Sequence, residues 1–578
     1  MSEKIISPGV FQNESDQSLV ERGIQGTATA VVGPTVSGLP LVPTYVTSFS
    51  EFQSQFGTTF KSGSYYYEYL TSIAAREFFQ NGGQTLLVTR VVSGSANVSN
   101  YAAASVLNIS SSLNTGSVAS FTIETLAWGD QMNNTSSLSG GALANGSAVN
   151  VRWEITNVNT GSGVFTLAVR RGDDNTTNPN YIETWPNLSL DPAQPNFISR
   201  VIGDVKPVYT VDSDGNPYIN YQGSFANASE YIRIASVVNP QVDSIDNNGN
   251  YKASIYSGSL PALGSGSYGG SFAGGFAATN RQQLMNENIT AANMEGYSVG
   301  DYNTALALLT NKDEYQFNVL LVPAVGLDSA AASTVISVVE GRGDSFAPIS
   351  TGVYGTTITA ATNTAAGQSS NYSACYYPWI QLFNSNLGKT VWAPATTVMG
   401  GVLAFNDQVG AEWFAPAGLN RGGVPSVLRA ERKLSQADRD TLYSANVNPL
   451  ATFPGEGVVV FGQKTLQRRQ TSLDRVNVRR LLIALKGFIG QVGNNLVFEQ
   501  NTNATRNRFL AQVNPYLESV VQRQGLYAYK VVMDDTNNTP DVIDRNQLVG
   551  QIYIQPTKTA EFIILNFNVL PTGATFPA

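Results

Sequence analysis

Histidine is absent from all 578 residues. Its absence removes the commonest general base, the commonest zinc ligand and the usual sensor of mild acid, and it excludes any Ser-His-Asp or Cys-His nucleophile. A switch fired by protonation between about pH 8 and pH 6 is not expected of such a chain. Cysteine occurs once, at Cys375, so no intrachain disulfide can form and the thiol reads as a small buried hydrophobe. No apolar run approaches the roughly 18 residues that span a bilayer. The opening Met1-Ser2-Glu3-Lys4-Ile5-Ile6-Ser7-Pro8-Gly9 also lacks the apolar core of a signal peptide. A soluble protein made in a cytoplasm, without membrane insertion, is expected. Basic residues are in deficit: 34 Lys and Arg against 42 Asp and Glu give a formal net charge of -8 and a pI near 4.9. A direct nucleic-acid binder would need a phosphate-neutralising surface, which this balance argues against.

What is present divides along the chain, whose length accommodates about three or four domains. Residues 1–22 are polar apart from Ile5-Ile6 and Val10-Phe11 and read as an extended arm. From 23 to 94 the pattern is α/β. Ala28-Thr29-Ala30-Val31-Val32 reads as a strand, and Tyr66, Tyr69, Leu70, Ile73, Ala74 and Phe78 fall on one helical face. Asn81-Gly82-Gly83 is a stop, and Thr85 to Val92 reads as a buried strand. Ser, Asn, Gly and Thr then become dense, and short alternating runs such as Val151 to Ile155 and Val164 to Val169 mark a β-rich insertion over 95–295, read as two subdomains. Helix and strand order returns over 296–465. Tyr302 to Leu309 is a helix candidate, Phe317 to Val325 a central strand, and residues 331–341 a further helix. Over 466–560, Leu481, Leu482, Leu485, Phe488 and Ile489 mark one amphipathic helix and Phe509, Val513, Leu517, Val520 and Val521 a second, stopped by Gly525. Strands follow at Tyr527 to Met533 and Leu548 to Ile554, and 561–578 is a C-terminal strand or arm in which Ile563, Leu565 and Phe567 alternate with Ile564, Asn566 and Asn568. The fold class is therefore multidomain α+β: a discontinuous α/β core, a C-terminal mixed α/β domain and a β-rich insertion.

Chemical motifs fail on their contexts. Gly264-Ser265-Gly266-Ser267-Tyr268-Gly269 fits the dinucleotide pattern but continues into Gly270-Ser271-Phe272-Ala273-Gly274-Gly275, a glycine-rich loop where the fingerprint needs a helix. Gly388-Lys389-Thr390 resembles the end of a phosphate-binding loop, yet Phe383 stands where the first glycine belongs, so a turn before the strand Thr390-Val391-Trp392 is the simpler reading. Arg342-Gly343-Asp344 reads as a polar turn. No Ser-Lys motif is recognisable, no pair of carboxylates is singled out, and neither a catalytic residue, a cofactor nor a metal is assigned. One charge pattern stands out. Lys464, Arg468, Arg469, Arg475, Arg479, Arg480 and Lys486 crowd a span whose sole acid is Asp474. Such an inversion in an acidic chain suggests a surface meeting an acidic partner, or a helix paired with acids of its own domain.

Both ends of the chain resemble the contractile tail sheath proteins of bacteriophages. At the N-terminal end the resemblance rests on Ser7-Pro8-Gly9-Val10-Phe11, Gly26 to Gly33, Phe49-Ser50-Glu51-Phe52, Phe78-Phe79-Gln80-Asn81-Gly82-Gly83 and Val88-Thr89-Arg90-Val91. Further on, Tyr377-Pro378-Trp379, Val391-Trp392-Ala393-Pro394, Gly400-Gly401-Val402 and Trp413-Phe414-Ala415-Pro416-Ala417-Gly418 follow in the family's order. Asn448-Pro449-Leu450, Gly462-Gln463-Lys464-Thr465-Leu466, Asn477-Val478-Arg479-Arg480-Leu481-Leu482, Phe498-Glu499-Gln500-Asn501 and Ala560-Glu561-Phe562-Ile563 complete the set. The ordered set carries the resemblance, over about 20–95 and 300–570. The block 95–295 matches only loosely, around Ala127-Trp128-Gly129-Asp130 and Trp185-Pro186-Asn187-Leu188.

The resemblance implies a structural subunit, not an enzyme. Copies would form hexameric rings stacked helically around a tail tube, contract to drive the tube through the host envelope, and also meet baseplate and tail terminator proteins. It implies a virion component assembled in the bacterial host cytoplasm. Ile6, Val10 and Phe11 would pair with a neighbour, as would Ile563, Leu565 and Phe567, while the seven basic residues from Lys464 to Lys486 would face the tube. Two other readings are a sheath of a phage-like secretion or injection system and, outside the family, a β-rich tail adhesin or hydrolase. The large insertion favours a phage, and the split α/β core is unexplained by an adhesin.

Overall fold

The strand Ala28–Gly33 is buried along its whole length, and its neighbours come from distant parts of the chain. It pairs in parallel with Leu86–Arg90 on one side and with Phe317–Leu321 on the other, while Thr44–Val46 closes the edge antiparallel to Leu86–Arg90. The block between Arg90 and Phe317 is thus inserted between two strands of one sheet, and the core is discontinuous as its sequence pattern predicts. A single bridge, Val319 to Phe346, joins this sheet to a second one ordered Ala347–Ser350, Ser373–Tyr377, Val447–Phe453 and Gly457–Val460. The structure, a computed structural model, describes residues 28–62, 65–92, 101–107, 119–128, 138–143, 146–159, 161–237, 248, 260–264, 272–274 and 284–561.

Helices cover the first sheet because its parallel strands, mostly apolar, are buried along their whole length and so must be covered on both faces. Leu70–Gln80 and Thr396–Val409 pack closely against each other. Gly401 permits the approach, since a Cβ there would lie 2.7 Å from the Glu77 backbone oxygen. Ala330–Arg342 starts at Ser329, whose hydroxyl accepts from the Ala331 amide, and ends at Gly343 in the left-handed region. The expected helical face from Tyr66 begins later. Tyr65–Glu68 is a strand paired with Thr59–Ser62, Tyr65 and Tyr66 are exposed, and the helix starts at Leu70. Three successive tyrosines favour the pleated conformation over helix.

The inserted block is antiparallel. One sheet holds Val151–Asn159, Val164–Arg171 and Tyr181–Ser189, and the other is ordered Ile232–Val237, Ala119–Trp128, Tyr101–Leu107 and Ala273–Gly274. Phe121, Ile155, Phe165, Leu188, Ile232 and Phe272 from both sheets share one apolar cluster, so among the described residues the insertion has a single core in place of the two expected subdomains. The far boundary also moves. Met285, Ile289 and Met294 belong to the main core, so the insertion ends before residue 285, short of the expected 295. The hairpin Lys206–Val211 and Pro217–Gln222 leans back on that core through Tyr209 and Ile219.

The C-terminal part forms a third core. Leu481, Leu485 and Val492 of the helix Val476–Asn494 pack on Phe509, Val513, Leu517 and Val520 of Asn503–Gln522, and Phe488 stacks on Tyr516 at 3.9 Å. Val476 and Ile483, on another face of the first helix, lie in the main core. The boundary near residue 466 therefore runs along one helix that both cores share. No helix of the described residues is long and apolar enough to cross a membrane.

Candidate assembly interface

The basic segment does not form one charged face. Arg479 and Arg480 are 3% and 2% exposed within their own chain, which corrects their expected place against a tube. Arg480 donates through Nη1 and Nη2 to the two carboxylate oxygens of Asp407 at 2.7 and 2.6 Å. Burial pulls its pKa down, but Asp407 and Glu412 outweigh it and the charge is held more firmly than usual. Arg479 lies over the Tyr372 ring at 4.0 Å and donates to Asn371 Oδ1 at 2.7 Å, with burial lowering its pKa. Both cations sit on buried positions at the start of the helix Val476–Asn494 and must be paired there. Their partners, Asp407 and Asn371, are far away in sequence, and Arg479 has an amide and a tyrosine ring in place of an acid, so the local count of acids missed both.

Arg475 has a different task. Its Nε and Nη2 donate to Glu561 Oε1 and Oε2 at 2.7 and 3.1 Å, and Tyr443 Oη donates to Glu561 Oε2 at 2.8 Å. Gln463 Nε2 donates to Glu561 Oε1 at 3.1 Å and to Thr559 Oγ1 at 2.6 Å. These bonds fix Glu561 against Arg475, Tyr443 and Gln463. Lys464 donates to the Tyr443 carbonyl at 2.7 Å, and burial followed by the neighbouring Arg475 lowers its pKa. Arg468, Arg469 and Lys486 are exposed. Lys464, Arg468 and Arg475 line an open groove of about 1030 Å³ together with Lys558, Asp474 and Glu561.

The hairpin Leu526–Val532 and Gln551–Pro556 leads into that groove through Thr557. Tyr529, Val531, Ile552 and Ile554 pack on the C-terminal core, while Tyr527 and Tyr553 stand 67% and 56% exposed on the other face. Among the described residues it is a two-stranded sheet with no further strand on either edge. Ile6, Val10, Phe11, Ile563, Leu565 and Phe567 lie outside the described residues. Unpaired edges of this kind accept added strands readily.

Several motif residues of the sequence converge here. Asn448 accepts from the Lys464 amide at 2.7 Å and donates to the Lys464 carbonyl at 2.8 Å, and Asn477 donates to the Trp413 carbonyl at 3.5 Å. The phosphate and adhesion look-alikes are structural. Gly388 sits at φ 62° in the turn before Lys389–Ala393. Arg342 is buried, paired with Asp344 at 2.9 Å and donating to the carbonyls of Leu309 and Tyr315. Of the dinucleotide-like run, 265–269 lies outside the described residues. Cys375 is buried in the core, as read from the sequence, with burial raising its thiol pKa. Among the described residues no cluster of Cys, Asp and Glu is placed to hold a metal ion.

Residues 295–466 match the phage tail sheath protein central domain, and residues 469–570 match the phage tail sheath C-terminal domain. Residues 295–570 thus carry the two domains of phage tail sheath proteins in their order. Over 185 residues it is 40% identical to the tail sheath protein of Vibrio phage KVP40 and over 185 residues 41% identical to that of Enterobacteria phage T4. Each match covers 32% of this chain and 28% of the relative's length, so the chain spans well under half of these relatives. The fold is also that of the sheath tail protein from Listeria innocua, whose crystal structure aligns over 93% of this chain and 97% of that one, with a TM-score of 0.51 at 10% identity. Between them, these two sheath domains include the exposed hairpin and most of the residues that line the groove.

Proposed function

We propose that this sheath protein polymerises as stacked hexameric rings around a tail tube in a phage virion, contracts to drive the tube through the host envelope, and is assembled in the bacterial host cytoplasm. The observation that carries the reading is the C-terminal hairpin, a two-stranded sheet with unpaired edges placed beside the pinned root of a terminal segment. Strands from neighbouring copies, bearing Val10 and Phe11 or Ile563, Leu565 and Phe567, would extend it through backbone hydrogen bonds that persist while the subunit bodies rotate. A contact repeated by a rotation and a rise builds an open helix. The tube contact is assigned to the exposed cations Arg469 and Lys486, while baseplate and terminator proteins would meet the ends of the stack. Deleting Met1 to Glu21 tests the exchange. The protomer should stay folded and sediment as a discrete species where the full chain forms high-mass polymers, and polymers formed normally by the deletion would rule the exchange out.

A further inference from the structure

The groove at the arm root carries more positive charge than its own chain answers. Of its cations, Arg475 is satisfied by Asp474 at 3.1 Å and by Glu561 at 2.7 Å. That uses both carboxylates of the groove. Among the described residues no carboxylate forms an ion pair with Lys464, Arg468 or Lys558, and Arg468 and Lys558 are exposed. A groove with this excess of cations, in a chain of net charge -8, offers complementary charge to an acidic segment.

Two terminal segments of the chain lie outside the described residues. Residues 562–578 contain no ionisable side chain, so they do not answer the charge. Residues 12–21 carry Glu14, Asp16 and Glu21 and no base. The groove begins where the hairpin's second strand ends, at Thr557 and Lys558. A segment whose Val10-Phe11 end paired with the hairpin while running towards Leu526 and Pro556 would bring its acids to the groove.

Building on the polymer reading above, we infer that this groove is the receptor for the acidic stretch Glu14 to Glu21 of a neighbouring copy, held by Lys464, Arg468 and Lys558. Charge then sets which stretch of the neighbour enters and in which register, while the strand pairing supplies the holding force. Because exposed charges are screened over about 8 Å at physiological ionic strength, assembly becomes salt-sensitive through this contact.

The test is a cross-link between copies. Cys375 is buried, so engineered cysteines meet little background. Full-length Asp16→Cys and Arg468→Cys variants, mixed before assembly and then oxidised, should give disulfide-linked dimers in the tubes. Neither variant alone should do so to the same extent. In parallel, Arg468→Glu with Lys558→Glu should raise the protein concentration needed for assembly about tenfold. Adding Glu14→Lys, Asp16→Lys and Glu21→Lys to that pair should restore it. Tubes that form normally with no dimers, or a bond that closes only within one chain of the Asp16→Cys, Arg468→Cys double variant, would overturn the groove assignment and leave the sheath reading standing. Failure of the unmodified chain to form tubes would overturn the polymer reading, and with it a neighbour as occupant.

Discussion

Arg480 and Lys486 lie a turn and a half apart on one helix, yet their environments give them opposite roles. Arg480 is enclosed and bonded to Asp407, so Arg480→Met leaves that carboxylate beside an apolar wall and should lower protomer stability in urea by about 3 kcal/mol. Lys486 is exposed, so Lys486→Glu should leave the protomer intact while impairing assembly on tubes and sparing tube-free polymers. Equal damage to both kinds of polymer would place Lys486 between copies. The acids give a pH prediction. Burial raises the pKa values of Glu77, Asp328, Glu412 and Glu431. The folded chain then holds protons more tightly than the unfolded one above about pH 4, so stability is gained as pH falls through each folded value and lost as it rises. Asp212, Asp438 and Asp534, held down by hydrogen bonds from Asn216, Ser435 and Thr536, act with the opposite sign but only below the ordinary carboxylate value. With no histidine to become charged, the thermal midpoint should hold or rise from about pH 7 to about pH 5, and extended assemblies should keep their length between about pH 8 and pH 6. A midpoint that falls over the first window, or a sharp contraction within the second, would contradict this.

At the scale of elements, the sequence was most legible where burial imposes a period. The strands Ala28–Gly33 and Phe317–Leu321 and the helices Val476–Asn494 and Asn503–Gln522 all fall where their apolar residues place them. What local pattern could not show was pairing at a distance. Arg475 finds Glu561 and Arg480 finds Asp407 only after folding, so a run of cations read as one surface separates into buried clamps and exposed charges. The end of the insertion was hidden for a related reason, since Met285 and Ile289 join the main core from a stretch with no regular period. The glycines of Gly400-Gly401-Val402 gain a physical meaning from the same packing. Gly401→Ala improves helix propensity by about 1 kcal/mol, but its methyl group would meet the Glu77 backbone oxygen at 2.7 Å, which cannot turn aside. A net loss of about 2 kcal/mol is expected by urea unfolding. Gly400→Ala meets only the end of the Leu321 side chain and should cost far less. The reverse order would mean that the two helices are not held at this distance.

On the scale of the whole molecule, one sheet-and-helix core carries an inserted β-domain and a C-terminal domain that shares a helix with it. The helix Val476–Asn494 contributes residues to both cores, and on the proposed function the hairpin beside Glu561 is where copies would stay joined while their bodies rotate. The resemblance in the ordered motifs indicated a sheath, and the folded chain gives many of those motifs a structural reason at the junction of the two domains. On the proposed function, this chain forms a helical polymer by itself. Electron microscopy of the purified protein should show long hollow tubes with regular cross-striations, and a preparation containing only monomers or discrete trimers under conditions where the chain is folded would contradict that reading.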